Sequence, residues 1–299
     1  MQTILITGAN GFLGSYLCEL LMSNYKIIAT GKGDCRLDYK HSNLHYQKLD
    51  FTNEENIKEV LQKSRPNIII HAGAMSKPDE CELNKEQAYL TNVASTQYLL
   101  KQASLCKSFF IFISTDFVFD GEKGMYKEND ETGPVNYYGE TKLLAEKEVK
   151  NYDGKWSIVR TVLVYGHPKS GRDNILTVVA KGLQKGETLK IFDDQLRTPT
   201  YVKDLVNAIK TIIEKKATGF FHVSGQDKLS PYQMAVAAAN YLGLDASLIE
   251  RTNAEAFHQP AKRPAKTGFD ITKAKDELKF IPTSFSEGLK KTFERSVKR

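Results

Sequence analysis

The stretch Tyr138-Gly139-Glu140-Thr141-Lys142 places a phenol and an ammonium four positions apart. On a helix that spacing puts both groups on one face. A nearby ammonium favours the phenolate, so the tyrosine can serve as an acid or base near neutral pH. Tyr137 is the rival tyrosine, but its four-residue partner is Thr141, which carries no charge. Upstream, Ser114-Thr115-Asp116 closes an apolar run at its carboxyl end. Ligands sit at that end of a strand in parallel α/β sheets. The Thr115 hydroxyl suits a bond to a substrate oxygen and to the tyrosine hydroxyl; the alternative is a turn or cap hydroxyl.

A second cluster lies at the amino terminus, in Thr7-Gly8-Ala9-Asn10-Gly11-Phe12-Leu13-Gly14. Gly8 permits a tight turn, Gly11 lets a pyrophosphate approach the backbone, and Gly14 lets a helix pack against the strand. Helix-start N–H groups and the helix dipole favour phosphates. The loop as a whole, Asn10, Phe12 and Leu13 included, reads as a dinucleotide cradle. A ribose-binding acid is expected at the tip of the second strand. That region reads Ala29-Thr30-Gly31-Lys32-Gly33-Asp34-Cys35-Arg36, with no acid at the tip and Lys32 and Arg36 just beyond. Cations there suit a 2′-phosphate, so NADP(H) is favoured and NAD(H) is possible. A plain surface lysine is the other reading of Lys32, and Asp34 can swing in. Asp50 and Phe51 are placed to hold adenine by hydrogen bond and packing.

These groups need a scaffold. Candidate strands are Thr3–Thr7, Lys26–Thr30, His45–Lys48, Asn67–His71, Phe109–Ser114 and Ser157–Arg160, with Phe220–Val223 returning later. Helix-like segments lie between and after them: Leu13–Ser23, Glu54–Lys63, Lys85–Leu105, Tyr138–Asn151, Tyr232–Leu242 and Ser286–Val297. Runs such as Ile68-Ile69-Ile70 are apolar on both faces, as in a parallel strand covered on both sides. Strand–helix alternation then predicts an α/β fold, a doubly wound parallel sheet of the Rossmann type. Beyond Gly166 the pattern loosens, punctuated by Pro168, Gly171, Gly182 and Gly186. The expected division is a dinucleotide-binding domain over 1–166 plus about 200–226, and a smaller, mainly helical substrate lobe over 167–199 plus about 227–299.

The net charge of +6 is interspersed, with only the tail Lys290, Lys291, Arg295, Lys298 and Arg299 locally basic. Nucleic-acid binding would want a concentrated stripe; a modest basic bias suits an anionic small substrate. The longest apolar runs are too short to cross a bilayer. The start carries no signal-peptide pattern, so a cytoplasmic location is expected. Cys18, Cys35, Cys81 and Cys106 form no C-x-x-C pair, and His167, His222 and His258 show no metal spacing, so no metal is expected. His71 lies at a strand end, where a packed histidine outweighs a cleft-lining one.

Together these features resemble the extended short-chain dehydrogenase/reductase superfamily. Phe112-Ile113-Ser114-Thr115-Asp116-Phe117-Val118-Phe119-Asp120-Gly121 and Tyr138-Gly139-Glu140-Thr141-Lys142 look like dTDP-4-dehydrorhamnose reductase. Similar pieces are Ile158-Val159-Arg160-Thr161, Asp194-Gln195 with Pro199-Thr200, and Arg263-Pro264. That family reduces the 4-keto group of a dTDP-linked 6-deoxysugar with NADPH or NADH. The resemblance implies that Tyr138 protonates the ketone oxygen and Lys142 orients the ribose. Thr115 and Asp116 would contact the sugar. Ala72-Gly73-Ala74-Met75-Ser76 would pass beneath the cofactor, with Asn92 bracing or facing the site. Val162-Leu163 stands where the family usually has a tryptophan near the sugar, and Arg197 where it often has a small residue. Leu163, Asn174 and Arg197 are therefore counted as substrate contacts, Arg197 either meeting a phosphate or pairing with an acid. The run from Asp194 to Leu205 also looks like the regulatory subunit of methionine adenosyltransferase. A nucleotide-sugar epimerase or dehydratase and a non-catalytic dinucleotide-binding subunit are thus the alternatives. A homodimer is implied by the resemblance alone.

Overall fold

A computed structural model describes residues 1–169, 173–256 and 259–297. Gly171, His258, Lys298 and Arg299 lie outside the described residues. The first half of the chain runs β1 (Thr3–Thr7), α1 (Phe12–Leu21), β2 (Lys26–Gly31), β3 (Leu44–Lys48), α2 (Glu54–Ser64) and β4 (Ile68–His71). It continues with α3 (Pro78–Leu83), α4 (Lys85–Tyr89), α5 (Ser95–Cys106), β5 (Phe109–Thr115), α6 (Tyr137–Lys150) and β6 (Trp156–Thr161). Then come β7 (Val164–Tyr165), α7 (Ile175–Gln184), β8 (Leu189–Phe192), β9 (Thr200–Tyr201), α8 (Val202–Lys215) and β10 (Gly219–Val223). The last elements are α9 (Pro231–Leu242), β11 (Ile249–Thr252), α10 (Thr272–Leu278) and α11 (Phe285–Val297).

Strand sequences rich in Ile, Val and Phe give one seven-stranded sheet, ordered β10-β6-β5-β4-β1-β2-β3. Every pairing in it is parallel. Alternation along a strand sends neighbours to opposite faces. Ile4 and Ile6 enter one core, with Leu17 and Leu21 of α1 and Leu205, Ile209 and Ile212 of α8. Leu5 between them enters the other, with Leu61 of α2, Leu99 of α5 and Val149 of α6. The strand order reverses between β1 and β4, which opens a crevice outside their carboxyl ends. The smaller part has its own cluster, Val179 and Leu183 of α7 against Ala235 and Ala239 of α9, beside Ile249 of β11. There β8 and β11 form a short parallel pair.

Two sequence expectations need correction. The single helix expected over Lys85–Leu105 is interrupted by a π-helical turn at Leu90–Ala94. The Ser95 and Thr96 hydroxyls donate to the Thr91 and Asn92 carbonyls along that turn. The stretch beyond Gly166, loosely patterned in sequence, contains two full helices, α7 and α8. α8 buries Val202, Leu205, Val206, Ile209, Ile212 and Ile213, a stripe of helical period.

Candidate active site

The glycine loop leaves β1 at Thr7 and turns at Gly8, whose φ is +69°. A Cβ at Gly8 would lie 2.8 Å from the Gly73 Cα. One at Gly14 would overlap the Gly8 carbonyl oxygen. Gly11 donates its N–H to that same carbonyl at 2.8 Å and is the N-cap of α1, with no side chain capping the helix. Gly11, lacking a side chain, does not itself cap these first amides, which favours an anion there. Phe12 and Leu13 follow, half-buried against the main core. This cradle fits a dinucleotide pyrophosphate. Gly14→Ala is expected to lower stability by about 2–3 kcal/mol, because the methyl would run into the rigid Gly8–Ala9 backbone. Thermal melts and NADPH-binding titrations check it: Tm should fall by several degrees and affinity by at least tenfold.

Next to the cradle, Asn10 cross-links the loop that follows β2. Its amide donates to the Asp34 carbonyl and the Tyr46 hydroxyl, both at 2.8 Å, and its oxygen accepts from the Arg36 N–H at 2.9 Å. Tyr46 in turn donates to the Gly33 carbonyl at 2.8 Å. The loop bearing Lys32 and Arg36 is thus sewn to the glycine loop. Lys32 reaches the Asp50 carboxylate at 2.8 Å. Burial pushes the Asp50 carboxyl up, but bonds from Lys32 and Thr52 outweigh it and hold the group below its ordinary range. Asp34 pairs with Lys48 at 2.6 Å. Phe51 lies under the loop after β4, and a Cβ on Gly73 would meet its ring at 2.6 Å. Ala72, Ala74 and Ser76 are partly exposed along that loop, at the carboxyl end of β4.

Helix α6, which carries Tyr138 and Lys142, is fixed at its start by Asn136, whose side chain accepts from the Gly139 N–H at 2.9 Å and donates to the Lys262 carbonyl at 2.7 Å. Gly139 is jammed on the preceding turn; a Cβ there would overlap the Phe117 carbonyl oxygen. Tyr138 is half-buried, edge-on to Phe117 with centroids 5.8 Å apart. Lys142 is 3 % exposed, its ammonium 3.9 Å from the centre of the Phe112 ring. Burial pushes its pKa down to about 7, with Glu146 and Cys81 opposing. Tyr137 instead packs under the Lys85 ammonium, 5.2 Å from its ring centre, and burial with the Glu140 charge raises its pKa.

Four expected ligands are engaged elsewhere. Asn92 is buried on the π turn; its oxygen accepts from the Met75 N–H at 2.9 Å and its amide donates to the Met75 carbonyl and the Thr141 hydroxyl. Both polar atoms of its side chain brace the loop after β4 against α6. Arg197 is 4 % exposed and donates to the carbonyls of Leu196, Pro264 and Ala265 and to Gln195 Oε1. It cannot present a fork to a substrate phosphate; its Nε lies 4.0 Å from Asp116 Oδ2. Asp116 is 3 % exposed, and its carboxylate accepts from Thr115 and Thr267, so the expected sugar contact gives way to an internal tie. Burial raises its pKa against the opposing pull of Arg197 and the two hydroxyls. The Thr115 hydroxyl caps the Phe117 N–H at 3.2 Å and donates to Asp116 at 3.0 Å.

Leu163 is half-buried with φ +34°, in the link from β6 to β7. Asn174 caps α7, accepting from Leu176 N at 3.1 Å and donating to the Gly166 carbonyl at 2.6 Å. His71 is buried; its Nδ1 bonds Thr7 Oγ1 at 2.7 Å, and its Nε2 has no hydrogen-bond partner. A clasp not expected from sequence joins Asp79 of α3 to Arg263 through both carboxylate oxygens. Among the described residues no helix is long and apolar enough to cross a membrane. The described residues also hold no group of three His, Cys, Asp or Glu placed to bind a metal.

A parallel sheet switching at β1, a glycine cradle, and a tyrosine–lysine pair on α6 define the extended short-chain dehydrogenase/reductase class. The family model described as the RmlD substrate binding domain matches residues 1–298, and the chain belongs to that family. It is 30% identical to dTDP-4-dehydrorhamnose reductase of Aggregatibacter actinomycetemcomitans, over 97% of this chain and 98% of that one. It is 29% identical to methionine adenosyltransferase 2 subunit beta of Danio rerio, over 91% and 84%. Among solved structures it is similar to dTDP-4-dehydrorhamnose reductase of Bacillus anthracis in complex with NADP, with TM-score 0.87 and 30% identity over 99% and 100% of the two chains.

Proposed function

We propose that the protein reduces the 4-keto group of a dTDP-linked 6-deoxysugar, with NADPH preferred over NADH. The observation that carries this reading is the buried Lys142 one turn after the half-buried Tyr138, at the carboxyl end of a sheet that opens with a glycine cradle. The lobe over 167–199 and about 227–299 would receive the sugar nucleotide, with Leu163 and Asn174 at its border.

When bound, the nicotinamide supplies the hydride. Tyr138 gives its phenolic proton to the ketone oxygen as charge develops there. The Lys142 ammonium stabilises the phenolate left behind and holds the ribose hydroxyls. Thr115 joins in by turning its donor from Asp116 to the same oxygen. Gly8, Gly11 and Gly14 leave room for the pyrophosphate, and Lys32 exchanges Asp50 for the 2′-phosphate, freeing Asp50 to face the adenosine. Arg36 adds charge, and Phe51 with Ala72–Ser76 forms the floor.

For the cofactor, Lys32→Ala should weaken NADPH binding about tenfold, the scale of one charge-assisted hydrogen bond, and leave NADH binding unchanged. Fluorescence titration with both nucleotides checks it; an unaltered preference would remove Lys32 from the 2′-phosphate site. For the reaction, NADPH consumption is followed at 340 nm across a panel of nucleotide 4-keto-sugars. Turnover with the dTDP sugar supports the reading. Sugar interconversion without net NADPH consumption would make the protein an epimerase. The similarity to methionine adenosyltransferase 2 subunit beta favours one second reading, a dinucleotide-binding regulatory subunit. NADPH binding with no turnover of any sugar would support that one.

A further inference from the structure

Behind the catalytic helix lies a buried charge cluster that takes no part in the chemistry proposed for Tyr138. Glu146 lies one turn beyond Lys142 on α6 and is 1 % exposed. Arg160 of β6, 3 % exposed, grips both its oxygens, Nε to Oε1 at 2.9 Å and Nη2 to Oε2 at 2.7 Å. Ser114 of β5, next to Thr115, donates to Oε1 at 2.6 Å. The guanidinium packs 5.0 Å from the Phe119 ring centre and 4.5 Å from that of Phe220. Its Nη1 reaches the Glu128 carbonyl and His222 Nε2, each at 3.3 Å.

We infer that Glu146, held by Arg160 and Ser114, is a positioning residue that sets a negative charge one turn from Lys142 and holds that lysine in register with the cleft. This rests on the catalytic roles proposed for Tyr138 and Lys142. A buried ion pair is a poor device for stability alone, since apolar residues of similar volume hold a helix as well or better. What apolar residues would not supply is a negative charge beside Lys142. The groups around that ammonium are Glu146 on its own helix, Cys81 of α3, His71 of β4 and the Phe112 ring of β5, with the Arg160 guanidinium of β6 on the far side of Glu146 as its paired cation. Burial and the neighbouring Glu80 and Glu82 push the Cys81 thiol up to about 11. Burial and Lys142 itself push His71 down to about 3. Both are neutral at pH 7, so among these partners Glu146 carries the charge that opposes the burial of Lys142. It also ties α6 to β6, and thereby sets the depth at which Tyr138 and Lys142 project.

The test is the pH dependence of NADPH affinity, read by fluorescence, beside the pH profile of kcat. Glu146→Gln keeps an acceptor for Ser114 and Arg160 but removes the charge. The pH at which affinity and kcat fall on the alkaline side should move down by about one, a tenfold change in the proton equilibrium of Lys142. KM for the sugar should stay as in the parent. The double variant Glu146→Gln/Arg160→Met removes both charges and should move the same way by less. It carries the test if the single variant does not fold, since neutral replacements of buried pairs are tolerated. A folded variant with the parent's alkaline limb, whatever its overall rate, overturns the inference and leaves a structural brace. A parent that binds NADPH with this pH dependence but reduces no sugar overturns the proposed reaction and leaves the inference standing.

Discussion

Tyr138→Phe is expected to cut ketone reduction by about 10²–10⁴-fold, the range that one positioned acid contributes. The phenol is half-buried and fixed on two sides. Phe117 meets it edge-on at 5.8 Å, and the Asn136 cap with the Gly139 contact sets the first turn of α6. Phenylalanine keeps that packing and loses only the hydroxyl, so Tm and NADPH affinity should stay near the parent's. The comparison of kcat with both is the check. A variant that retains more than about a tenth of the parent rate would show that another group delivers the proton. Tyr137→Phe is the internal control: its ring lies under Lys85, and its loss should leave the rate unchanged.

Lys142→Met should act in two opposite directions. Activity should fall by at least about 10²-fold, because the phenolate loses its counter-charge. Stability should rise, because the lysine is buried with its pKa pushed down to about 7. In the unfolded chain a lysine holds its proton up to about pH 10. Between about pH 7 and about pH 10 unfolding therefore takes up a proton, and the parent grows more stable as pH rises. Below about pH 7 both states are protonated and the penalty is full, at about 1.4 kcal/mol for each tenfold loss of proton affinity on folding. Methionine fills similar volume without charge, so the variant's Tm should exceed the parent's by several degrees at about pH 6.5, below the folded-state pKa. The gap should close toward pH 10. Calorimetry at three pH values checks this, and a lower Tm for Lys142→Met on the acid side would mean that the ammonium is stabilised where it stands.

The sheet is largely legible in the sequence because its strands are covered on both faces. Apolar runs such as Ile68-Ile69-Ile70 and Phe109–Phe112 leave little choice of state, and their ends fall within a residue or two of those in the structure. α8 carries an equally clear stripe, Val202-Leu205-Val206-Ile209-Ile212-Ile213, and is hidden only by the glycines and proline that precede it. The π turn at Leu90–Ala94 has no such signature; within it Asn92 bonds Met75 and Thr141, partners distant in sequence. The same limit applies in the site. Gly8 and Gly14 announce themselves because local backbone geometry demands glycine there. Arg197 and Asp116 look like ligands because nothing local shows that Pro264, Ala265 and Thr267 come back to claim them. Asn10 reads as a cofactor contact, yet its side chain is spent on the loop that carries Lys32. Glu146 stands at helical spacing from Lys142, but its meaning depends on Arg160, a partner on another strand.

The most direct measurement follows the hydride itself. The protein is incubated with NADPH deuterated at the nicotinamide C4 and a dTDP-linked 4-keto-6-deoxysugar, and the product is examined by NMR. The expected result is deuterium at sugar C4, one per NADPH consumed, and its near absence with Tyr138→Phe. NADPH bound at the glycine cradle while the sugar stays unlabelled would contradict the assignment.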